Sequence, residues 1–386
     1  MRLAIDIRCL QDKYWTGVAD YTWNIIKAFN EKKTLFDLLY YTNSFKQNNQ
    51  LPTEIRNSNN LISTQYPNKL QNLLLRYNLW QNFDELMVKK DKRPDVFWLP
   101  NLHFYQLSKK IKKVLTIHDL SFIHFPQFFS LKKRLWYLAS MKRLLKNNLG
   151  DFDKIIAVSK HTKDDLISLY PNVEQKIEVI QSGIEDVFFK APNPLDLGSI
   201  LQHYNLPRNY LLTVGTIEPR KNHLLLLKAY ERIINQHPDF DYDLVIVGTR
   251  GWLWRPIIDY WKKMKCTKKI HFIGYVPNNE LNSLYAYAKC FLYPSLYEGF
   301  GFPPLEAMAA GTPCLVSSAS SLPEIVNEAA ILLDPWVIDE WVETIISVVN
   351  DQELCRKYSA AGKIRAQDFS WNKTTTAMEH LFLSLV

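Results

Sequence analysis

The sequence lacks a C-x-x-C pair: its five cysteines, Cys9, Cys266, Cys290, Cys314 and Cys355, are scattered and odd in number. A disulfide framework and a thiolate zinc site are excluded on that pattern, and a reduced, intracellular setting is expected. No apolar run approaches the ~18 residues that a membrane-spanning helix needs. The opening stretch, Met1-Arg-Leu-Ala-Ile-Asp-Ile-Arg8, carries charge where a leader would be apolar, so it reads as a first strand and not a targeting segment. G-x-G-x-x-G and G-x-x-x-x-G-K-[ST] are also missing, which removes the fingerprints of dinucleotide and P-loop sites. The nine histidines show no metal-ligand spacing, and no metal is expected.

What is present is a folded composition. The chain has 386 residues, 47% hydrophobic and 22% charged, enough for two or three domains. Lys and Arg number 47 against 39 Asp and Glu, for a net charge of +8 and a pI near 9.0. That surplus suits a phosphate-bearing partner: a nucleotide, a nucleic acid or an anionic membrane surface.

Short apolar runs alternate with helical patterns, which predicts an α/β fold with parallel sheets. In the first half strands are expected at Leu3–Ile7, Leu38–Tyr41, Val96–Leu99, Lys113–Ile117, Lys154–Val158 and Ile177–Ile180. Helices are expected from Val18, near Leu131 and from Ser159, and the polar stretch Asn43 to Asn68 reads as surface loop. After a shift in composition at Ala191-Pro-Asn-Pro194, a second series follows: Tyr210–Val214, Leu244–Val247, Ile270–Ile273, Cys290–Tyr293, Cys314–Val316 and Ala330–Leu333. Ligands in such folds bind beyond the carboxyl ends of the strands, so a motif's position on its strand is the test of its function.

Four stretches meet that test. Tyr293-Pro-Ser-Leu-Tyr-Glu298-Gly299-Phe300-Gly301-Phe302-Pro303-Pro304-Leu-Glu306 runs from a strand end through a glycine loop into a helix. Pro303 and Pro304 suit the helix's first turn, and Gly311 its C′ position. Free amides at the helix start favour an anion, and two carboxylates suit the hydroxyls of a sugar or ribose. Gly215-Thr-Ile-Glu-Pro-Arg220-Lys221-Asn222 places two cations in a strand-to-helix loop, with Asn222 suited to cap the helix. Val114-Leu-Thr-Ile-His118-Asp119 ends a strand on His-Asp, and Thr16-Gly17-Val18 opens the first helix. Asp151-Phe-Asp153 and Asp241-Tyr-Asp243 have D-x-D spacing but precede strands, at the wrong end. Ser130–Gly150 reads as a basic helix with Leu131, Leu135, Leu138 and Leu145 near one face and Lys132, Lys133, Arg134, Lys142, Arg143 and Lys146 supplying charge. It suits an anionic leaflet or an ordinary solvated helix face.

The Glu298-x7-Glu306 stretch resembles the signature of retaining, nucleotide-sugar-dependent glycosyltransferases of family four. G-T-I-E-P-R-K-N, T-I-H-D, T-G-V-A-D-Y-T, I-A-V-S-K-H-T and the terminal Phe369-Ser-Trp371 are similar to further motifs of that family. The resemblance implies the GT-B fold, two Rossmann-like, doubly wound parallel-sheet domains facing a central cleft. It implies an acceptor-side domain over 1–185, a nucleotide-sugar domain over 186–370, and a last helix, 371–386, crossing back to the first. Members that look most similar are bacterial mannosyltransferases of O-antigen and exopolysaccharide assembly.

The resemblance further implies a division of roles. Arg220 and Lys221 hold the donor diphosphate, Glu306 the ribose hydroxyls, and Glu298 with the amides of Phe300 and Gly301 the transferred sugar. His118 lies at the reaction centre and Gly17 near the phosphate. Asp119, Gly215, Gly248, Val276, Gly299 and Phe302 complete the donor site. Gly17-Val-Ala-Asp20 departs from the family pattern, where many members carry a second Gly and an Arg. Asn327 stands where Gly is common. The expected activity is retaining, metal-independent transfer of a hexose, mannose from GDP-mannose first, to a glycan or polyprenyl-diphosphate-linked acceptor, with UDP-sugars as the alternative donors. A cytoplasmic protein is expected, peripheral at the inner membrane face if 130–150 docks there. Sugar phosphorylases and nucleotide-sugar epimerases share the architecture. A silent sugar-nucleotide sensor or a nucleic-acid-binding protein are the readings from other classes, although no nucleic-acid partner is expected.

Overall fold

Strand β1 (Arg2–Asp6) buries Leu3, Ala4 and Ile5 on both faces, as a strand inside a parallel sheet must. The structure is a computed structural model that describes all residues except 12–14, 16, 33–34, 45–49, 78, 138–144 and 146–148, and all side chains within these except those of 132, 133, 136 and 194–196. The chain divides into two compact units. Unit one comprises Met1–Leu120, Leu135–Gly183 and Trp371–Val386; unit two comprises Ser121–Arg134 and Ile184–Ser370.

Unit one is built on β1, β2 (Asp37–Asn43), β3 (Leu61–Thr64), β4 (Val96–Leu99), β5 (Lys112–Ile117), β6 (Lys154–Ala157) and β7 (Ile177–Val179). They pair in the order β3-β2-β1-β4-β5-β6-β7, every pair parallel. The order reverses between β1 and β4, which marks the crevice where ligands of such sheets bind. Trp98, Phe97 and Tyr41 are fully buried, each side chain stabilising the fold by roughly 1.5–3 kcal/mol of apolar transfer. Helix Gly17–Glu31 turns Ile25, Ile26 and Phe29 inward, and the terminal helix Trp371–Leu383 packs beside it.

The stretch expected as surface loop contains β3. Its polar composition is that of a short edge strand, hydrogen-bonded on one side only, with Ile62 as its single buried residue. The helix expected from Ser159 spans Lys160–Leu169, with Ser159 as its cap, accepting from the Thr162 amide at 3.0 Å. Of the expected basic helix, Leu131–Trp136 is helical. Leu131 and Leu135 are exposed while Leu145 is buried, so these three do not share one apolar face. Leu138, Lys142, Arg143 and Lys146 lie outside the described residues, as do the side chains of Lys132 and Lys133.

Unit two repeats the plan with β8 (Tyr210–Val214), β9 (Asp243–Val247), β10 (Ile270–Gly274), β11 (Phe291–Tyr293), β12 (Cys314–Ser317) and β13 (Ile331–Leu333). Their order is β10-β9-β8-β11-β12-β13, again parallel, reversing between β8 and β11. Helix His223–Gln236 buries Leu225, Leu226, Ala229, Tyr230 and Ile233 at helical spacing, packed with Ile338–Asn350 around Trp341. Helix Phe302–Ala310 starts on Pro303 and Pro304 and ends at Gly311, whose φ of 86° is left-handed and favours glycine. Among the described residues no helix is long and apolar enough to cross a membrane.

Candidate functional site

Strands β8 and β11 are neighbours at the point where unit two's strand order reverses, so the loops leaving their carboxyl ends meet. After β8, Pro219 starts a single 3-10 turn that carries Arg220 and Lys221. After β11, residues 294–301 are irregular yet buried throughout. A buried loop needs partners for its backbone, and here the other loop supplies them. The Leu296 amide donates to the Arg220 carbonyl at 2.8 Å, and Arg220 Nη1 donates to the Tyr297 carbonyl at 2.8 Å. Ser321 Oγ lies 3.0 Å from the Glu298 carbonyl and 2.7 Å from that of Phe300. Asn222 stands at the start of the following helix but its side chain does not cap it. Its φ is 56°, and Nδ2 donates instead to the Pro335 carbonyl at 2.8 Å. The left-handed turn that re-aims the chain after Lys221 is what Asn tolerates better than most residues.

Both cations converge on one carboxylate. Lys221 Nζ donates to Glu298 Oε1 at 2.6 Å, and Arg220 Nη1 to Oε2 at 2.8 Å. The hydroxyls of Ser295 and Tyr293 also donate to Oε1, at 2.6 and 2.9 Å. Lys221 Nζ further reaches the Tyr293 hydroxyl at 2.8 Å. Arg220 is held from behind as well, its Nε 3.1 Å and Nη2 3.0 Å from Glu218 Oε1. Glu298 is 7% exposed; burial alone would raise its carboxyl, but Arg220 and Lys221 outweigh that and hold it at about 2. Glu218, 1% exposed, is pushed up by burial against the pull of the two cations, and its Oε2 has no partner. The result is a rigid pair of cations on a shared, ionised counter-charge, already oriented before any ligand arrives.

The helix Phe302–Ala310 starts one residue beyond this loop, with Gly301 as its first flanking residue. Glu306 lies in its second turn, where the Tyr285 hydroxyl donates to Oε2 at 2.9 Å. Gly215 follows β8, and Gly248 beside it has a packing reason independent of any ligand. A Cβ on Gly248, whose φ is 146°, would stand 2.0 Å from the Gly215 carbonyl oxygen. Val276, just past β10, is buried.

In unit one, β5 delivers His118 to the carboxyl edge. Its Nε2 is 2.8 Å from the Pro100 carbonyl, a pure acceptor, so Nε2 carries the proton and Nδ1 keeps the lone pair. Burial lowers the ring's pKa, outweighing the Pro100 bond and nearby Asp119, and the Tyr21 ring meets it edge-on at 4.7 Å. Gly17 is the first residue of its helix; Thr16 lies outside the described residues. At the same edge, a cavity of about 440 Å³ is lined by Arg8, Gln11, Asn68, Asn72, Asn101 and His103 among others. Arg8 is neutralised there by both oxygens of Asp6, and burial, with Arg8 beside it, lowers the His103 pKa to about 4.

Reading the motifs alone missed Tyr293, Ser295 and Glu218 as partners of the charge cluster, and Tyr285 as that of Glu306. Tyr293, Ser295 and Glu218 lie inside the quoted stretches, so position at a strand end was the available signal. Asp153 and Asp243 sit at the amino ends of β6 and β9, away from this edge.

The comparisons with known proteins agree across the chain. The profile of the family described as "Glycosyl transferases group 1" matches residues 202–365, and that of "Glycosyltransferase Family 4" matches 15–188. The chain is 30% identical over 375 residues to the O-antigen chain mannosyltransferase B of Escherichia coli, covering 94% of each. The fold is similar to that of WaaG, a glycosyltransferase involved in lipopolysaccharide biosynthesis (TM-score 0.74, 15% identity, 98% of this chain and 99% of that one). It is similar also to Anabaena Alr3699/HepE in complex with UDP-glucose (TM-score 0.72, 16% identity, 100% of both chains). With two parallel Rossmann-like sheets and the paired motifs at their switch points, the chain belongs to the family-four glycosyltransferases and has the GT-B fold.

Proposed function

We propose that the protein transfers a mannosyl residue from GDP-mannose to a glycan acceptor, linked or not to a polyprenyl diphosphate, with retention of anomeric configuration and without a metal. The observation that carries this reading is the convergence of Arg220 and Lys221 on Glu298 at 2.8 and 2.6 Å in one buried cluster. The relatedness to an O-antigen mannosyltransferase supports the sugar.

Glycosyl transfer passes through an oxocarbenium-like state while the nucleoside diphosphate leaves with growing negative charge. Arg220 and Lys221 supply fixed positive charge to it, and the first amides of helix Phe302–Ala310 add the positive end of a helix dipole. These donors do the work a divalent cation does elsewhere. Glu298 keeps both cations aimed, and the amides of Phe300 and Gly301 hold the sugar. Glu306 binds the ribose hydroxyls, with Val276 at the base. On the acceptor side His118 offers Nδ1 to a hydroxyl, and the leaving phosphate takes the acceptor proton. The amide-lined cavity of unit one receives the acceptor glycan.

A UDP-sugar donor is the second reading, favoured by the likeness to a protein crystallised with UDP-glucose. Thermal-shift measurements with GDP-mannose, UDP-glucose, UDP-galactose and UDP-N-acetylglucosamine, each with and without EDTA, separate the two. GDP-mannose is expected to raise the melting temperature most, and EDTA to leave the shift intact. A larger shift with a UDP-sugar replaces the donor, loss with EDTA overturns metal independence, and no shift with any donor refutes the transferase reading. The anomeric configuration of the product, read by NMR, tests retention.

A further inference from the structure

Helix Asn68–Arg76 of unit one has two unlike faces. Gln71 and Leu75 are buried, and Asn68 and Asn72 line the cavity of about 440 Å³ described above. The other side carries Leu70, Leu73 and Tyr77, at the i, i+3 and i+7 spacing that sets them in one stripe. They are 46%, 52% and 56% exposed, and Leu79 just beyond the helix is 71% exposed. Tyr66, exposed as well, precedes the helix with its ring 4.7 Å from that of Trp80. A lone exposed leucine is ordinary, but an apolar row bordered by polar residues marks a surface that something covers.

The border of the stripe indicates what covers it. Lys69 and Arg76, also seven residues apart, run along one side of it. Lys69 is exposed, and the Arg76 guanidinium lies 5.8 Å from the centre of the Tyr77 ring. No Asp or Glu occurs between Glu54 and Asp84, whereas Arg56, Lys69 and Arg76 do. A leucine row edged by cations, with no acid in the segment, complements a surface that is uniformly negative outside and apolar beneath. An anionic bilayer interface has that profile. A second copy of the chain does not, since it would set the same cations against one another. At nine residues the helix is about 14 Å long, too short to cross a bilayer, so it would lie in the interface plane.

We propose that this face of unit one docks on an anionic phospholipid membrane, with Leu70, Leu73 and Tyr77 entering the boundary between headgroups and acyl chains and Lys69 and Arg76 meeting the phosphates. The segment is distinct from residues 130–150. Docking rests on the exposed face alone. Its consequence, that the cavity served by the same helix meets lipid-borne glycans, rests on the function proposed above.

The test uses the full chain and sedimentation with phosphatidylcholine vesicles, with and without phosphatidylglycerol. Leu70→Gln/Leu73→Gln alters two exposed side chains, so its melting temperature should hold while binding to the anionic vesicles weakens roughly tenfold or more. Lys69→Gln should weaken that binding about fivefold and leave any binding to phosphatidylcholine alone unchanged. Ile364→Gln, on an equally exposed leucine-sized side chain of unit two, should behave as the wild type. The proposal is overturned if the wild type does not sediment with anionic vesicles, or if the double variant binds them as tightly. It is overturned also if Ile364→Gln loses as much binding, or if sedimentation velocity without lipid shows a wild-type dimer that the double variant abolishes. None of these outcomes touches the donor reading, which the thermal shift with nucleotide sugars decides separately.

Discussion

Lys221 and Glu298, 77 residues apart in sequence, meet at 2.6 Å between Nζ and Oε1. Around that contact Arg220, Tyr293 and Ser295 complete a closed set of donors to one carboxylate. A buried acid so placed is both a structural counter-charge and the device that aims the cations, and the two roles have separate readouts.

The first readout is stability against pH. The Glu298 carboxyl is held at about 2, against about 4.5 when the chain is unfolded. A depressed acid stabilises the fold above its unfolded value, and that contribution is lost as the pH falls from 4.5 toward 2. It is on the order of 3 kcal/mol. Urea midpoints measured across this window should fall in the wild type and flatten in Glu298→Gln. At neutral pH the same substitution should cost roughly 3–5 kcal/mol, because two buried cations lose their partner. An unchanged acid slope in the variant would remove Glu298 as its source.

The second readout is catalysis. Arg220→Ala removes a charge-assisted contact worth roughly 2–3 kcal/mol, so turnover at saturating donor should drop about a hundredfold. Arg220→Lys keeps the charge but not the fork that spans Glu218 and Glu298, and should fall between the two. Near-normal turnover in Arg220→Ala would end the proposed phosphate-clamp role.

Glu306 should separate binding from chemistry. Glu306→Gln keeps the shape and the bond from Tyr285 while losing the charge proposed to accept the ribose hydroxyls. Donor KM is expected to rise about tenfold, with kcat changed by no more than about threefold. A fall in kcat with KM unchanged would place Glu306 in the chemical step.

Gly248 and Gly198 make a paired test of backbone against surface. Gly248→Ala drives a Cβ to 2.0 Å from the Gly215 carbonyl and should destabilise by roughly 1–3 kcal/mol or more. Gly198 lies in helix Pro194–His203 with nothing within 4 Å of an added Cβ, so Gly198→Ala should stabilise by about 0.5–1 kcal/mol. Thermal denaturation of both variants checks the opposite signs.

Much of the fold was legible in the sequence because parallel strands buried on both faces stand out as apolar runs. Tyr210–Val214 and Val96–Leu99 were located to the residue. Strand β3 escaped because an edge strand needs only one buried side chain, which leaves Leu61–Thr64 looking like its polar surroundings. Asn222 had the residue type of a cap, but tertiary packing took its side chain to Pro335. Asn327, at φ 49°, adopts a conformation that explains why glycine suits that position, which local sequence alone does not reveal.

The sequence by itself determined where strands end, which glycines and prolines punctuate them, and that Arg220, Lys221, Glu298 and Glu306 lie beyond strand ends. Those properties are local, set by periodicity and backbone preference over a few residues. Tertiary structure alone decided that Glu298 would take both cations and that Tyr293 and Ser295 would join them. The reason is strand order: β8 and β11 lie side by side although β9 and β10 separate them in the chain, and no local pattern records that adjacency.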